Sequence, residues 1–165
     1  MLQWLRDASR EIVEAVKDTK HLQKNLLRYL ASDNEAIRSA YNEIRISIAS
    51  TIREIEMLRQ DGEEDGVIDA LALDAVKLMI DESQERINRL LTELIGRREI
   101  TAEMGSSLLN DGTYAYNVSI NLVRAAEKLF ASEDLRRARV VHNVMLDKEE
   151  RKAAVESLDT DEAQK

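Results

Sequence analysis

Residues 71–94 read LALDAVKLMIDESQERINRLLTEL, and apolar side chains recur in them at intervals of three and four positions. An α-helix has about 3.6 residues per turn, so side chains at these intervals lie on one face of the helix. The stripe consists of Leu73, Val76, Ile80, Ser83, Ile87, Leu90 and Leu94. This pattern predicts an amphipathic helix that buries one face against other helices.

The same period extends over most of the 165 residues, and the chain contains no proline. A chain of this length would carry about eight prolines on average, and each would end or kink a helix. Five helices are therefore predicted. The first runs from about residue 2 to residue 30, with Leu5, Ile12, Thr19 and Leu26 one heptad apart and Ala8, Val16, Leu22 and Tyr29 beside them.

Polar caps and glycines mark the expected ends of the second and third helices. Ser32 or Asp33 is expected to cap the second helix. Its apolar face consists of Ile37, Tyr41, Ile44, Ile48, Ile55 and Leu58. Gly62 and Gly66 separate this helix from the third, and Gly96 lies near the end of the third.

Thr101 is expected to open the fourth helix, in which residues 110–112 offer a point for a bend or a split. Ser132 is expected to cap a fifth helix with Leu135, Ala138, Val141 and Met145 facing inward. The fold class predicted is all-α, an antiparallel bundle of about five long helices. One domain over residues 1–158 and a frayed acidic tail at 159–165 complete this prediction.

Composition limits the classes of function. The formal net charge is −8 at pH 7, whereas nucleic-acid binding needs a basic surface against the phosphates. The absence of cysteine excludes disulfides and thiolate zinc sites. No run approaches the roughly 18 consecutive apolar residues of a membrane-spanning helix, and the N-terminal residues lack a signal-peptide pattern. An amphipathic pattern directly after Met1 fits either a fragment of a longer protein or a frayed first turn.

Two rows of carboxylates are candidates for metal binding. They are Asp7, Glu11, Glu14 and Asp18 on the first helix, and Asp74, Asp81 and Glu85 on the third. Such oxygen ligands hold divalent or ferric ions when a second element completes the set. Because Arg10, Lys17 and Lys20 lie close to the first row, a solvated, salt-bridged face is the favoured interpretation.

Catalytic patterns are missing from the sequence. A ferritin-like di-iron site needs Glu-x-x-His on two helices, but His142 is preceded by Arg139 at that offset and His21 by Asp18. No Gly-x-Ser-x-Gly turn or phosphate-cradling loop is present. Asp111 falls on the predicted buried face of the fourth helix, and we expect a local turn at Gly112 to expose it, because a lone buried carboxylate is costly.

Three segments resemble the PhoU-like helical domains that regulate phosphate uptake, particularly those at the cytosolic end of sodium/phosphate cotransporters. The first segment, residues 21–30, reads HLQKNLLRYL and leads into the second helix. The second, residues 81–88, reads DESQERIN. The third, residues 116–130, reads YNVSINLVRAAEKLF.

This resemblance implies a non-enzymatic regulatory domain that contacts a transmembrane phosphate transporter region, in the same polypeptide or another, at the cytoplasmic face of the membrane. It also implies a divalent or ferric metal ion, since family members carry a Glu/Asp-x-x-x-Asp element. Glu14 and Asp18 match that element, and Asp81 and Glu85 match it with glutamate last. The alternative function is a helical scaffold or adaptor that self-associates into a homo-oligomer or binds a partner helix.

Overall fold

Four helices make up the part of the chain that the computed structural model describes, residues 3–61 and 68–130. They are α1 (Gln3–Leu30), α2 (Glu35–Asp61), α3 (Ala70–Gly96) and α4 (Ala102–Phe130). Within these ranges there is no strand, so the all-α prediction is confirmed, with four helices instead of about five. The predicted fifth helix and the tail at 159–165 lie outside the described residues.

α1 and α4 run in opposite directions. At one end of the bundle Arg28 of α1 pairs with Glu103 of α4 at 3.1 Å, and at the other end Lys128 of α4 pairs with Glu11 of α1. The start of each of these two helices therefore lies beside the end of the other. α4 contacts all three other helices, whereas α1 and α3 barely touch each other. α4 is thus the central helix of the bundle.

Side-chain caps set the starts of three helices. Asn34, rather than Ser32 or Asp33, caps α2, because its Oδ1 accepts a hydrogen bond from the Ile37 amide at 3.2 Å. The Asn34 amide also donates to the Glu99 carbonyl at 2.8 Å, which joins the two loops at this end. Asp69 caps α3. Thr101 caps α4 as expected.

The core consists of two apolar clusters, one near each end of the bundle. The cluster at the α1–α2 turn contains Leu22, Tyr29, Ile37, Ala40, Tyr41, Ile44, Ile87, Leu91, Leu94, Ile100, Leu108 and Ala115. The cluster at the opposite end contains Ile68, Leu73, Val76, Ile80, Val123 and Ala126. The predicted stripe on α3 supplies members of both clusters.

α1 buries only the part of its predicted apolar face that contains Ala8, Leu22 and Tyr29. Its buried residues are Ala8, Ala15, Leu22 and Tyr29, whereas Leu5, Ile12 and Val16 are exposed. The two alanines let the backbone of α1 approach α4 closely, and this close contact turns the larger side chains out of the core. The expected heptad of Leu5 and Ile12 as a buried seam is therefore wrong.

α4 is one continuous helix, so residues 110–112 neither bend nor split it. Gly112 faces α3, where an added Cβ would lie 3.3 Å from Cγ2 of Ile87. Glycine at this position thus lets two helices approach each other closely. Packing on both sides of α4 outweighs the weak helix propensity of Gly112.

Candidate functional site

Asp111 lies in the middle of α4 and is buried, with 1% of its surface exposed. The expectation of an exposing turn is therefore wrong. The Tyr41 hydroxyl, on α2, donates a hydrogen bond of 2.5 Å to Asp111 Oδ2. The Asn25 side chain, on α1, also hydrogen-bonds this carboxylate. A buried carboxylate needs such donors, and here two other helices supply them.

The surroundings of Asp111 alter its protonation equilibrium. Burial raises the pKa of Asp111 above the usual range of a carboxyl group, while the hydrogen bonds from Tyr41 and Asn25 act in the opposite direction. Burial, and then the hydrogen bond to Asp111, raise the pKa of Tyr41. The Tyr41 phenol therefore stays protonated and remains the donor in this pair.

Aromatic side chains also join α1 to α2 and to α4. The rings of Tyr29 and Tyr41 pack with their centroids 4.8 Å apart. The Tyr29 hydroxyl lies 3.4 Å from Ser107 Oγ on α4. On α1, His21 stacks on Tyr114 of α4 at 5.1 Å. Because Asp111 itself is buried and bonded to residues of α1 and α2, its chemical role is to hold α1, α2 and α4 in register, away from any ligand in solution.

Small polar side chains also occupy the middle of the bundle. Ser83 of α3 donates a hydrogen bond of 2.9 Å to Ser47 Oγ of α2. The Thr51 hydroxyl bonds the carbonyl of Ser47 at 3.1 Å. The buried Oγ of Ser119 has no hydrogen-bond partner in the described part of the chain. Short serines at the contact between α2 and α3 leave space that larger side chains would fill.

This space is an open groove on the surface, which we call the α2–α3 groove. It consists of two adjoining hollows of about 380 and 80 Å³ that share Glu43, Ser83 and Arg86. Its lining residues are Ser39, Glu43, Ile46, Ser47 and Ser50 on α2, and Met79, Ser83, Arg86, Ile87, Arg89, Leu90 and Glu93 on α3. The groove thus combines apolar side chains, hydroxyl groups and charges of both signs.

The first predicted metal pair, Glu14 and Asp18, lies on α1. Glu14 is exposed and forms an ion pair of 2.7 Å with Lys17, while Asp18 is half-buried. Glu11, from the same row, pairs with Lys128 of α4. Two of the carboxylates in this row therefore have cationic partners, as the salt-bridged interpretation requires.

The second predicted pair, Asp81 and Glu85, lies on α3. Asp81 accepts a hydrogen bond of 3.0 Å from the Tyr116 hydroxyl, and Glu85 lies 3.9 Å from Arg89. Since α1 and α3 barely touch, the two pairs do not meet. Across residues 3–61 and 68–130, no group of three or more His, Asp or Glu side chains is placed to hold a metal ion. Metal binding by either pair alone stays a prediction.

Sequence reasoning missed the α2–α3 groove and the donors to Asp111. Ser39, Ser47 and Ser50 recur at helical spacing beside the apolar face of α2, and this signal could have identified a shallow face. The apolar face predicted for α2 includes Tyr41 without a partner for its hydroxyl, whereas a buried tyrosine hydroxyl requires one. Arg139 and His142, which the test for a di-iron site considered, lie outside the described residues.

Comparisons with protein-family models, with curated proteins and with solved structures each returned no match. Of the four described helices, none is sufficiently long and apolar to cross a lipid bilayer.

Proposed function

We propose that this chain is a non-enzymatic regulatory helical domain that binds a partner helix in the α2–α3 groove. In line with its resemblance to PhoU-like domains, the partner is the cytosolic part of a sodium-dependent phosphate transporter, and binding modulates phosphate uptake at the inner face of the membrane. The observation that carries the proposal is the α2–α3 groove itself.

The length of the groove suits a helix. Its lining extends from Ser39 to Ser50 on α2 and from Met79 to Glu93 on α3, which corresponds to about 17–21 Å of helix rise, or three to four turns. Helix-in-groove recognition uses apolar anchors at every third or fourth residue. Ile46, which is 46% exposed, and the half-buried Leu90 supply apolar contacts in the groove for such anchors.

The charges in the groove would select the partner. Glu43 and Glu93 contribute negative charges, and Arg86 and Arg89 contribute positive charges. An amphipathic helix with both signs of charge on its flanks would pair with them, and charge pairing contributes to specificity and orientation. Ser47 and Ser83 hydrogen-bond each other, which suits a binding surface better than a nucleophile.

Phosphate uptake tests this function. Ile46→Glu places a charge in the groove at a side chain already 46% exposed, so the bundle tolerates it. Leu109→Glu is the matched control, because Leu109 is 50% exposed on α4 and does not line the groove. In cells that depend on the transporter, we expect Ile46→Glu to change the rate of sodium-dependent uptake of labelled phosphate and Leu109→Glu to leave it unchanged.

Equal uptake in both variants, at equal protein levels, would contradict the transporter assignment. The scaffold alternative makes a different prediction. A self-associating bundle would show a sedimentation coefficient that rises with protein concentration, and Ile46→Glu would abolish that rise if the α2–α3 groove forms the contact.

A further inference from the structure

The outer side of α1 carries a stripe of apolar side chains. Leu5, Ile12 and Val16 are 40%, 42% and 49% exposed. They follow one another at seven and four positions, so they form one stripe along about three turns of helix. Ala8 and Ala15 are buried instead. α1 therefore packs into the bundle through another side and leaves this stripe on the surface.

Basic side chains form a row beside the apolar stripe. All of them are exposed, and they are Arg6, Arg10, Lys17, Lys20 and Lys24. Successive residues of an α-helix are turned by about 100°, so the stripe and the row together cover about 160° of the circumference of α1. We call the stripe and the row together the α1 outer face.

No carboxylate of α1 lies within this part of its circumference. The acidic residues of the helix form a separate row, which consists of Asp7, Glu11, Glu14 and Asp18. Glu11 pairs with Lys128 of α4, and Glu14 pairs with Lys17 at 2.7 Å. The other basic residues of the α1 outer face form no ion pair within residues 3–61 and 68–130. The face is therefore positive, although the whole chain has a formal net charge of −8.

This combination of charges and apolar groups fits the surface of a bilayer that contains anionic lipids. A helix with an apolar stripe and a basic flank lies in the plane of the interface, with its apolar side chains at the boundary between headgroups and acyl chains. Lysine and arginine have long stems, so their charges reach the lipid phosphates from that depth. From Leu5 to Lys24 the face extends about 29 Å along α1, so several side chains of each kind would meet the bilayer together.

Other occupants fit the α1 outer face less well. An antiparallel contact with α1 of a second copy would place the basic row of one copy against that of the other, and like charges in contact are unfavourable. Single-stranded nucleic acid stacks its bases on aromatic side chains, and the stripe contains only aliphatic ones. A rigid acidic protein would need a groove shaped to this convex helix, whereas lipid headgroups rearrange around it.

We infer that the α1 outer face binds the surface of a membrane that contains anionic lipids, with α1 parallel to the plane of the bilayer. The apolar stripe enters the interface, and the basic row contacts the lipid phosphates. The α2–α3 groove contains no residue of α1. This contact is therefore separate from the binding of a partner helix and goes beyond the proposed function.

Cosedimentation of the full chain with lipid vesicles tests this inference. One set of vesicles contains phosphatidylcholine alone, and the other contains phosphatidylcholine and phosphatidylserine at about two to one. Neither set contains a transporter, so the outcome does not depend on the proposed function. We expect the chain to sediment with the anionic vesicles and not with the neutral ones, and we expect salt to weaken binding because it screens the charges. The net charge of the chain alone would predict the reverse order.

Two double variants test the two parts of the face. Lys20→Gln with Lys24→Gln removes two positive charges, and we expect the partition coefficient on anionic vesicles to fall about 25-fold, at about fivefold per cation. Ile12→Gln with Val16→Gln removes the centre of the stripe and should lower the partition coefficient about tenfold or more. All four side chains are exposed, so the fold tolerates the changes, and circular dichroism checks this.

Matched double variants outside α1 serve as controls. Arg53→Gln with Arg98→Gln removes two exposed positive charges, one on α2 and one after the end of α3. Ile52→Gln with Leu109→Gln replaces side chains that are 54% and 50% exposed, on α2 and α4. Both controls should bind the anionic vesicles nearly as tightly as the wild type does.

A fluorescent label reports which side of the molecule meets the lipid. The chain contains no cysteine, so Val16→Cys and Leu109→Cys each accept a single environment-sensitive dye. The two positions are 49% and 50% exposed. On anionic vesicles we expect the emission of the dye at position 16 to shift to shorter wavelength, and that of the dye at position 109 to stay unchanged.

Three outcomes would overturn the inference. They are equal binding to neutral and anionic vesicles, equal losses in the α1 variants and their controls, and equal spectral shifts at the two labelled positions. Absence of binding to the anionic vesicles would overturn it as well. A sedimentation coefficient that then rises with protein concentration in the wild type, but not in Ile12→Gln with Val16→Gln, would assign the α1 outer face to a second copy of the chain.

Discussion

The hydroxyl of Tyr41 on α2 donates a hydrogen bond of 2.5 Å to the carboxylate of Asp111 on α4, in the middle of the bundle. The two residues are 70 positions apart in the sequence. Asn25 adds a donor from α1, so one carboxylate links three helices. A buried polar group that lacked some of its hydrogen bonds in this position would destabilise the fold more than an apolar group would. The pair therefore specifies how these helices align.

Tyr41→Phe should destabilise the fold. It removes the hydroxyl and leaves the buried Asp111 carboxylate with one donor fewer, which costs about 1–3 kcal/mol of unfolding free energy. Urea denaturation at pH 7 measures this loss. Tyr116→Phe is the control. Tyr116 is half-buried and water reaches its partner Asp81 more easily, so we expect a smaller loss of unfolding free energy. Equal stability of Tyr41→Phe and the wild type would contradict the structural role of the pair.

Asp111→Asn should change how stability depends on pH. Burial raises the pKa of Asp111 in the folded state, so the folded protein holds this proton more tightly than the unfolded chain does. The stabilisation that results is complete below the ordinary carboxyl pKa of about 3.9 and is lost as the pH rises through the folded pKa.

The measurement for Asp111→Asn is urea denaturation at several pH values between about 4 and 8. The unfolding free energy of the wild type minus that of the variant should fall as the pH rises, because asparagine does not titrate. A difference that stays constant, or that rises with pH, would show that burial is not the main influence on the pKa of Asp111 in the folded state.

Two glycines on α4 should respond oppositely to alanine. At Gly105 an added Cβ would lie 3.2 Å from the Ile95 side-chain terminus, which is exposed and free to move. At Gly112 it would lie 3.3 Å from Cγ2 of Ile87, which is buried. Gly105→Ala should therefore raise the unfolding free energy by about 0.5–1 kcal/mol, whereas overpacking should make Gly112→Ala destabilising by about 1 kcal/mol or more. The reverse order would mean that α3 does not pack tightly on α4 at Gly112.

Ser119→Ala should stabilise the protein. The buried Ser119 hydroxyl has no partner among the described residues, so its removal relieves a desolvation cost. Alanine is also the better helix former. We expect an increase of about 1 kcal/mol in unfolding free energy, measured by urea denaturation. A loss of stability would show that this hydroxyl is hydrogen-bonded, for example to an ordered water molecule.

Metal binding at the predicted carboxylates is tested by thermal denaturation with Mg²⁺, Mn²⁺ or Fe³⁺. An ion that binds only the folded state raises the melting temperature, and the increase grows with the logarithm of the ion concentration above its Kd. If the prediction holds, Glu14→Gln with Asp18→Asn, or Asp81→Asn with Glu85→Gln, should abolish the increase. No change with any ion, together with no metal found by elemental analysis, would remove the ion from the mechanism.

Much of the architecture followed from local patterns. The period of α3 and the lack of proline predicted long helices, and Thr101 marked the start of α4 as found. The buried face of α1 was predicted in part, because Ala8, Leu22 and Tyr29 belong to the expected stripe. The choice between Ala15 and Ile12 depends on how closely α4 approaches, which the sequence does not show. Asn34 as the cap of α2 was missed because Ser32 and Asp33, its neighbours, are equally good caps.

Amino-acid order alone determined that this chain forms helices and where most of them start and end, because these properties depend on residues within a turn of one another. Its net negative charge follows from composition. Only the tertiary structure decided that Asp111 is buried against Tyr41 and Asn25, and that serines of α2 and α3 meet to form the α2–α3 groove. Those features join residues that are far apart in the sequence. A periodic pattern identifies the apolar face of a helix, but it does not show which part of that face the neighbouring helices cover.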